Sequence, residues 1–288
     1  MKLVRFGPRG EERPGIWLEN TPSPGQSRIV DVRAAAFDIE DFDARFFTRW
    51  GLERLRGLLR EPNLKLVDPA GVRLGPPVGR PGQIICLGKN YADHAVEFDA
   101  EVPAAPIFFA KAVSALNGPF DPIALPPGAA NCDGEVELAV VIGRTARRVS
   151  ADRALEYVAG YAVLNDVTDR DAQRAGKQWY RAKSHDTFCP LGPFLVTADE
   201  VPDPGNLALQ ARVNGRVLQD SHTSRMIFPI PFLISQLSAT ITLQPTDILS
   251  TGTPAGIGSA HTPPILLRAG DVLETTITGL GTQVNRVE

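Results

Sequence analysis

Asp133-Gly134-Glu135-Val136-Glu137-Leu138-Ala139-Val140-Val141-Ile142-Gly143 is the stretch on which the reading of this chain turns. Two acids alternate with an apolar residue just where a run of buried-strand residues begins. On a strand, residues i and i+2 point to the same side. Glu135 and Glu137 therefore face one spot at the edge of an apolar region. Bare carboxylates that close repel each other and are costly to desolvate, so something positive belongs between them. A second apolar run, Tyr161 to Asn165, ends in Asp166, which is well placed to join the pair. Three oxygen donors with no His or Cys in the motif suit a hard divalent cation, Mg²⁺ or Mn²⁺ rather than Zn²⁺. Alternating acids on a solvent-facing strand, paired with Arg or Lys, are the ordinary alternative.

Working outward, Gln83 to Gly88 reads as a short buried strand that delivers Lys89-Asn90-Tyr91 into a loop. Ser150 is expected to cap a helix from Ala151 to Val158, closed by Gly160. Tyr161 to Asp166 reads as a strand, and Thr168 to about Arg174 as a short polar helix. Asn214-Gly215 is a type I′ turn signal between the strands Leu207–Val213 and Arg216–Asp220. Pro231 to Leu237 reads as helix, and Asp247–Thr251 and Asp271–Thr278 as strands. Strands dominate and several pair through hairpins. The fold class is therefore α+β with a mostly β core, rather than a doubly wound parallel sheet.

Residues 1–75 read as a small N-terminal α+β domain. Lys2–Phe6, Gly15–Glu19 and Arg28–Val32 are its strands. Ile39 to Arg60 is mostly helical, with a break where the apolar stripe changes phase at Gly51. Residues 76–82, dense in Pro and Gly, form a linker, and 83–288 form the main domain. The chain has 288 residues and a net charge of −3, with no long basic run to favour nucleic acid or an anionic membrane. No apolar stretch reaches the length of a membrane span, and the first residues lack the core of a signal peptide. Cys86, Cys132 and Cys189 are scattered and odd in number, which fits reduced thiols in a cytoplasmic protein.

His94 and Glu97 lie three apart, so on a helical turn the carboxylate can hold the imidazole and raise its basicity. That is the makeup of a general base for water. Arg170 and Gln173 would share a helix face beside the acids and suit an anionic, oxygen-rich ligand. Lys183 and Lys111 are isolated cations near aromatic residues, fit to hold a carboxylate or stabilise an enolate. Gly252-Thr253-Pro254-Ala255-Gly256 is a Gly-rich loop without a P-loop ending, whose amides and Thr253 hydroxyl can hold a carboxylate. Asp133 is assigned to the turn before the strand. No Gly-x-Ser-x-Gly elbow occurs.

These pieces stand in one order: Gly88-Lys89-Asn90-Tyr91-Ala92-Asp93-His94-Ala95-Val96-Glu97, Asp133-Gly134-Glu135-Val136-Glu137-Leu138, Asn165-Asp166-Val167-Thr168-Asp169-Arg170-Asp171-Ala172-Gln173, Lys183-Ser184-His185-Asp186-Thr187-Phe188, and Ser250-Thr251-Gly252-Thr253-Pro254-Ala255-Gly256. Each is weak alone; together, over residue 82 to the C-terminus, they closely resemble the fumarylacetoacetate hydrolase superfamily. The resemblance implies a mixed β-roll that forms a homodimer, with Mg²⁺ or Mn²⁺ on Glu135, Glu137 and Asp166. It implies that His94 and Glu97 activate water, on a segment that often orders over substrate. It implies that Arg170, Gln173, Lys183 and Thr253 contact the 2-oxo acid end of the substrate. The larger fumarylacetoacetases carry a further metal acid seven residues before the histidine; Leu87 stands there, so the chain looks like the smaller bacterial type.

The implied activity is hydrolysis of the C3–C4 bond of a 2,4-diketo acid to pyruvate and a second acid. The opening Met1-Lys2-Leu3-Val4-Arg5-Phe6-Gly7 looks like members acting on 2,4-diketo-3-deoxy sugar acids such as those from L-rhamnose or L-fucose. Acylpyruvates such as fumarylpyruvate are the other class. The alternatives are a decarboxylase or isomerase of oxaloacetate-like acids using the same metal enolate, and a non-catalytic protein that binds metal and 2-oxo acids.

Overall fold

The computed structural model describes residues 1–97, 103–176 and 178–288, without the side chains of residues 94–96. Sheet predominates over helix, as an α+β chain should. The main sheet has 11 strands. From one edge its order is Leu66–Val67, Ser27–Asp31, Arg13–Glu19, Lys2–Phe6, Leu195–Thr197, Val158–Asn165, Val136–Ile142, Ile248–Ser250, Ile84–Gly88 and Ile107–Lys111. Leu74–Gly75 pairs with Lys2–Phe6 beside this path. Ile248–Ser250 runs parallel to Ile84–Gly88, and the other pairs are antiparallel. A four-stranded sheet joins Arg216–His222, Ala208–Val213, Val272–Ile277 and Gly281–Arg286. Its first hairpin turns at Asn214 and Gly215, both at positive φ (51° and 77°), as an Asn-Gly turn requires.

Lys2–Phe6 pairs with Leu195–Thr197, so backbone pairing runs continuously from the N-terminal strands into the later ones. The helical stretch before the linker breaks into Ala44–Thr48 and Gly51–Leu58. Trp50 takes a left-handed backbone (φ 58°) between them. Gly51 has no room for a Cβ against the Phe46 ring, which explains the break at that place.

Two expectations need correction. Ala151–Tyr157 is a 3-10 helix without a side-chain cap from Ser150. Gly160 does not close it but lies inside the strand Val158–Asn165. There the backbone of Val196 crosses so closely that only glycine fits. The strands Ile107–Lys111, Leu195–Thr197 and Gly281–Arg286 were not expected from local pattern.

Val136–Ile142 and Val158–Asn165 are buried along their whole lengths, which suits their near-continuous apolar sequences. Their two faces feed different cores. Val136, Leu138, Val140, Tyr161 and Val163 pack on one side. Ala139, Val141, Ala162 and Leu164 pack on the other. By the two-residue period, Glu135 and Glu137 extend the row of Ala139 and Val141, and Asp166 extends the row of Ala162 and Leu164. All three acids thus continue one face of the sheet past the end of its apolar core.

Candidate active site

The antiparallel register sets the acids together. Val136 lies opposite Asn165 and Glu137 opposite Leu164. The Asp166 amide donates to the Glu135 carbonyl at 2.9 Å, which places the third acid beside the first. Glu135, Glu137 and Asp166 are buried, and one carboxylate oxygen from each lies within 4.8 Å of the others.

Cations from three other elements surround them. Lys183, ending the short helix Tyr180–Lys183, reaches Glu135 Oε2 at 2.9 Å, Asp166 Oδ2 at 2.5 Å and Thr168 Oγ1 at 2.9 Å. Lys111, ending the strand Ile107–Lys111, donates to Asp166 Oδ1 at 2.6 Å. Arg170 opens the helix Arg170–Ala175, which Asp169 caps by accepting from the amides of Asp171 and Ala172. Its guanidinium forks between Asp133 (2.6 Å) and Glu135 (2.6 Å) and donates to Gln173 Oε1 at 2.9 Å. Asp133 also accepts from the Ser259 amide at 2.7 Å. Far from an idle turn residue, Asp133 is the buried anchor of Arg170. A fully buried arginine demands such a partner, and that demand was the missed signal.

Glu137 stands apart from these ion pairs. Its Oε2 accepts from Ser250 Oγ at 2.5 Å and from the Gly252 amide at 2.9 Å. Burial, and then the charges of Asp166 and Glu135, push its pKa up to about 8, against the opposing pull of Lys183 and Ser250. The cluster thus carries more negative charge than its own cations relieve. Oxygen donors alone, buried and short of positive charge, fit a hard divalent ion. Glu135, Glu137 and Asp166 are the residues that would hold it.

A cavity of about 330 Å³ opens onto this cluster. Glu135, Glu137, Arg170, Gln173, Lys183 and Thr253 line it. An aromatic wall of Phe109 and Trp179, edge to face at 5.2 Å, forms one side, with the Lys183 ammonium 5.1 Å from the Phe109 ring centre. The Thr253 hydroxyl donates to Val136 O (2.9 Å) and accepts from Gln219 (2.7 Å), so the Gly-rich loop is tied to the acid-bearing strand. Lys111 is buried behind Asp166 and does not line the cavity. Glu97, at the end of the helix Ala92–Glu97, accepts from the Gly256 amide at 2.8 Å. The expected pairing of Glu97 with His94 lies outside the described residues. Cys86, Cys132 and Cys189 are buried free thiols, and burial pushes Cys132 and Cys189 up to about 12.

The model of the fumarylacetoacetate (FAA) hydrolase C-terminal region matches residues 83–288. The chain belongs to the fumarylacetoacetate hydrolase family. Across its full length it is 45% identical to 2,4-didehydro-3-deoxy-L-rhamnonate hydrolase of Sphingomonas sp., covering 96% of that protein. Among solved structures of the family's fold, maleylpyruvate hydrolase from Sphingobium sp. SYK-6, in complex with manganese(II) and pyruvate, is 32% identical with a TM-score of 0.81. The match covers 100% of this chain and 98% of that one. The 2-hydroxyhepta-2,4-diene-1,7-dioate isomerase of Mycobacterium marinum is 36% identical with a TM-score of 0.77, over 100% and 98% of the two chains. The solved structures similar to this chain thus include both a hydrolase and an isomerase. No described helix is long and apolar enough to cross a membrane.

Proposed function

We propose that this protein is a Mg²⁺- or Mn²⁺-dependent hydrolase that cleaves the C3–C4 bond of a 2,4-diketo acid, giving pyruvate and a second carboxylic acid. The observation that carries the reading is the buried trio of carboxylates with Glu137 raised to about 8, facing a cavity lined by Arg170, Gln173 and Lys183. A divalent ion on Glu135, Glu137 and Asp166 supplies Lewis-acid stabilisation of the negative charge that develops on the 2-oxo end.

The chain's own groups do the rest. Arg170 and Gln173 orient the substrate carboxylate. His94, held by Glu97, takes a proton from water, whose oxygen bonds to C4. The C3–C4 bond breaks and its electron pair moves into the enolate of pyruvate. The Lys183 ammonium stabilises that enolate, and protonation at C3 completes pyruvate. Phe109 and Trp179 keep bulk water from one side. The Glu97–Gly256 hydrogen bond supports this reading, because it ties the water-activating helix to the loop beside Glu137.

Two acyl classes fit beyond C4. The named substrate of the Sphingomonas relative supports a 2,4-diketo-3-deoxy sugar acid; the maleylpyruvate hydrolase neighbour supports an acylpyruvate with a second carboxylate. The isomerase neighbour favours a second reading, decarboxylation or isomerisation through the same enolate. Pyruvate release from acetylpyruvate, with Mg²⁺ or Mn²⁺ and then with EDTA, tests the lead reading. No release from any diketo acid at high enzyme concentration would sink it and favour a binding protein. His94→Ala should abolish hydrolysis yet spare decarboxylation of oxaloacetate; equal loss of both would remove the division of roles.

A further inference from the structure

Lys89 lines the same cavity and belongs to none of the ion pairs described above. It is partly buried. Among the described residues no carboxylate or hydrogen-bond acceptor pairs with it, whereas Arg170, Lys183 and Lys111 each already hold buried acids and, where they meet a ligand, do so at its 2-oxo acid end. Arg174 also lines the cavity, but it is exposed and shares itself with Asp171 at 3.4 Å.

The backbone at Lys89 is left-handed, with φ 55°. A non-glycine residue there is strained and persists only where its surroundings fix it. Those surroundings are visible. Asn90 is fully buried and donates to Thr251 O (2.8 Å) and Phe228 O (3.1 Å), while its own oxygens accept from the amides of Phe228 (2.8 Å) and Ile227 (2.7 Å). On the other side, the Trp179 ring sits where a Cβ on Gly88 would be. Lys89 is thus held between two locked neighbours, at the edge of the aromatic wall. A cation kept in a strained backbone, facing a cavity, with no counter-ion among the described residues, is a charge that a ligand carboxylate can meet.

We propose that Lys89 is a specificity-determining residue that binds a second carboxylate, at the end of the acyl group, so that the preferred substrates are dianionic 2,4-diketo acids rather than neutral-tailed sugar acids. The inference rests on the reading of this cavity as a 2-oxo acid site. The first carboxylate and the 2-oxo oxygen are served by Arg170, Gln173 and the acid cluster. A second negative end lying along Trp179 and Phe109 meets Lys89, which pairs with no acid among the described residues.

The test compares two ligands of equal length that differ in one terminal carboxylate, 2-oxoglutarate and 2-oxopentanoate. Their dissociation constants are measured by calorimetry with the Mn²⁺-loaded protein, with pyruvate as the control for the shared end. The wild-type chain should hold 2-oxoglutarate about tenfold more tightly. In Lys89→Asn that ratio should collapse towards one. Asparagine suits a left-handed backbone, so loss of folding does not confuse the result, and Lys89→Arg should keep part of the preference. A wild-type ratio near one, or a preference that survives Lys89→Asn, overturns the inference while pyruvate binding leaves the 2-oxo acid reading standing. Failure to bind all three ligands, pyruvate included, overturns both.

Discussion

Two clusters of charge among the described residues, one partly buried and one buried, are built in different ways. In the first, Arg5 grips Asp41 with two hydrogen bonds (2.6 and 2.9 Å) and Arg73 grips Asp121 likewise (2.9 and 2.6 Å). Arg73 also donates to Glu12 at 2.8 Å. Burial raises the pKa of Glu12, but the Arg73 hydrogen bond with the charges of Arg5 and Arg73 outweighs it and holds the group below its usual range. In the second cluster, Lys183 is shared between Glu135 and Asp166, and Glu137 is left to a hydroxyl and an amide, its pKa pushed up to about 8. In the first cluster the guanidiniums of Arg5 and Arg73 each close as a fork on a single carboxylate, whereas in the second Arg170 is divided between Asp133 and Glu135 and no cation among the described residues hydrogen-bonds Glu137. The first cluster holds Arg73 of the N-terminal region to Asp121 of the later one. The second keeps a deficit of positive charge that a metal ion can fill.

The largest effect should come from Glu137→Gln. Metal-dependent turnover should fall about a thousandfold or more, as expected when the ion's several kcal/mol of charge stabilisation are lost. The same change should raise or leave unchanged the apo melting temperature at pH 8.5, because it removes a costly buried charge. An apo protein markedly destabilised by it would erase the contrast between the clusters.

Next comes pH. From the ordinary value of 4.5 up to about 8, folded apo protein keeps a proton on Glu137 that the unfolded chain has released. The site's contribution to apo stability therefore falls as pH rises through this window and levels off above it. Glu12 works the other way: its contribution is present above the ordinary carboxylate value and is lost as pH falls through its lowered one. Metal binding must expel the Glu137 proton, so Mn²⁺ affinity should rise about a hundredfold from pH 6 to 8 and then flatten. Calorimetry in buffers of different ionisation enthalpy should count one proton released; none released at pH 6.5 would contradict the assignment.

Smaller is the effect of Arg73→Ala. It strands Asp121, leaves Glu12 with Arg5 alone at 3.5 Å, and should cost about 2 kcal/mol in urea denaturation, with Mn²⁺ affinity unchanged. Smallest is Ser250→Ala. Losing one hydroxyl that orients Glu137 should weaken Mn²⁺ about tenfold, measured by the same titration. A loss as large as that of Glu137→Gln would mean that Ser250 does more than orient the carboxylate.

The sequence carries the local half of this arrangement. Glu135 and Glu137 declare a shared face by their spacing alone, and Asn214-Gly215 declares a hairpin. Arg170 and Gln173 declare a common helix face, and their side chains are bonded at 2.9 Å. What could not be read is set by distant partners. Gly160 resembles a helix stop until the Val196 backbone lies against it. Asp133 resembles a turn acid until Arg170 is seen to need it. Lys2–Phe6 carries no mark of pairing with Leu195–Thr197, because backbone hydrogen bonds between segments so far apart in the chain leave no periodicity behind. Leu195–Thr197 is hard for a second reason: three residues are too few for a pattern.

The parallel pairing of Ile248–Ser250 with Ile84–Gly88 has an outcome for anyone who would shorten this chain. That late strand brings Ser250 and Gly252 to Glu137, so a fragment stopping before Ile248 would strip the acid of the hydroxyl and the amide it accepts from. A minimal version of this site cannot be carved from the front of the polypeptide; the hydrogen bonds of an early residue are completed by a segment the ribosome delivers near the end.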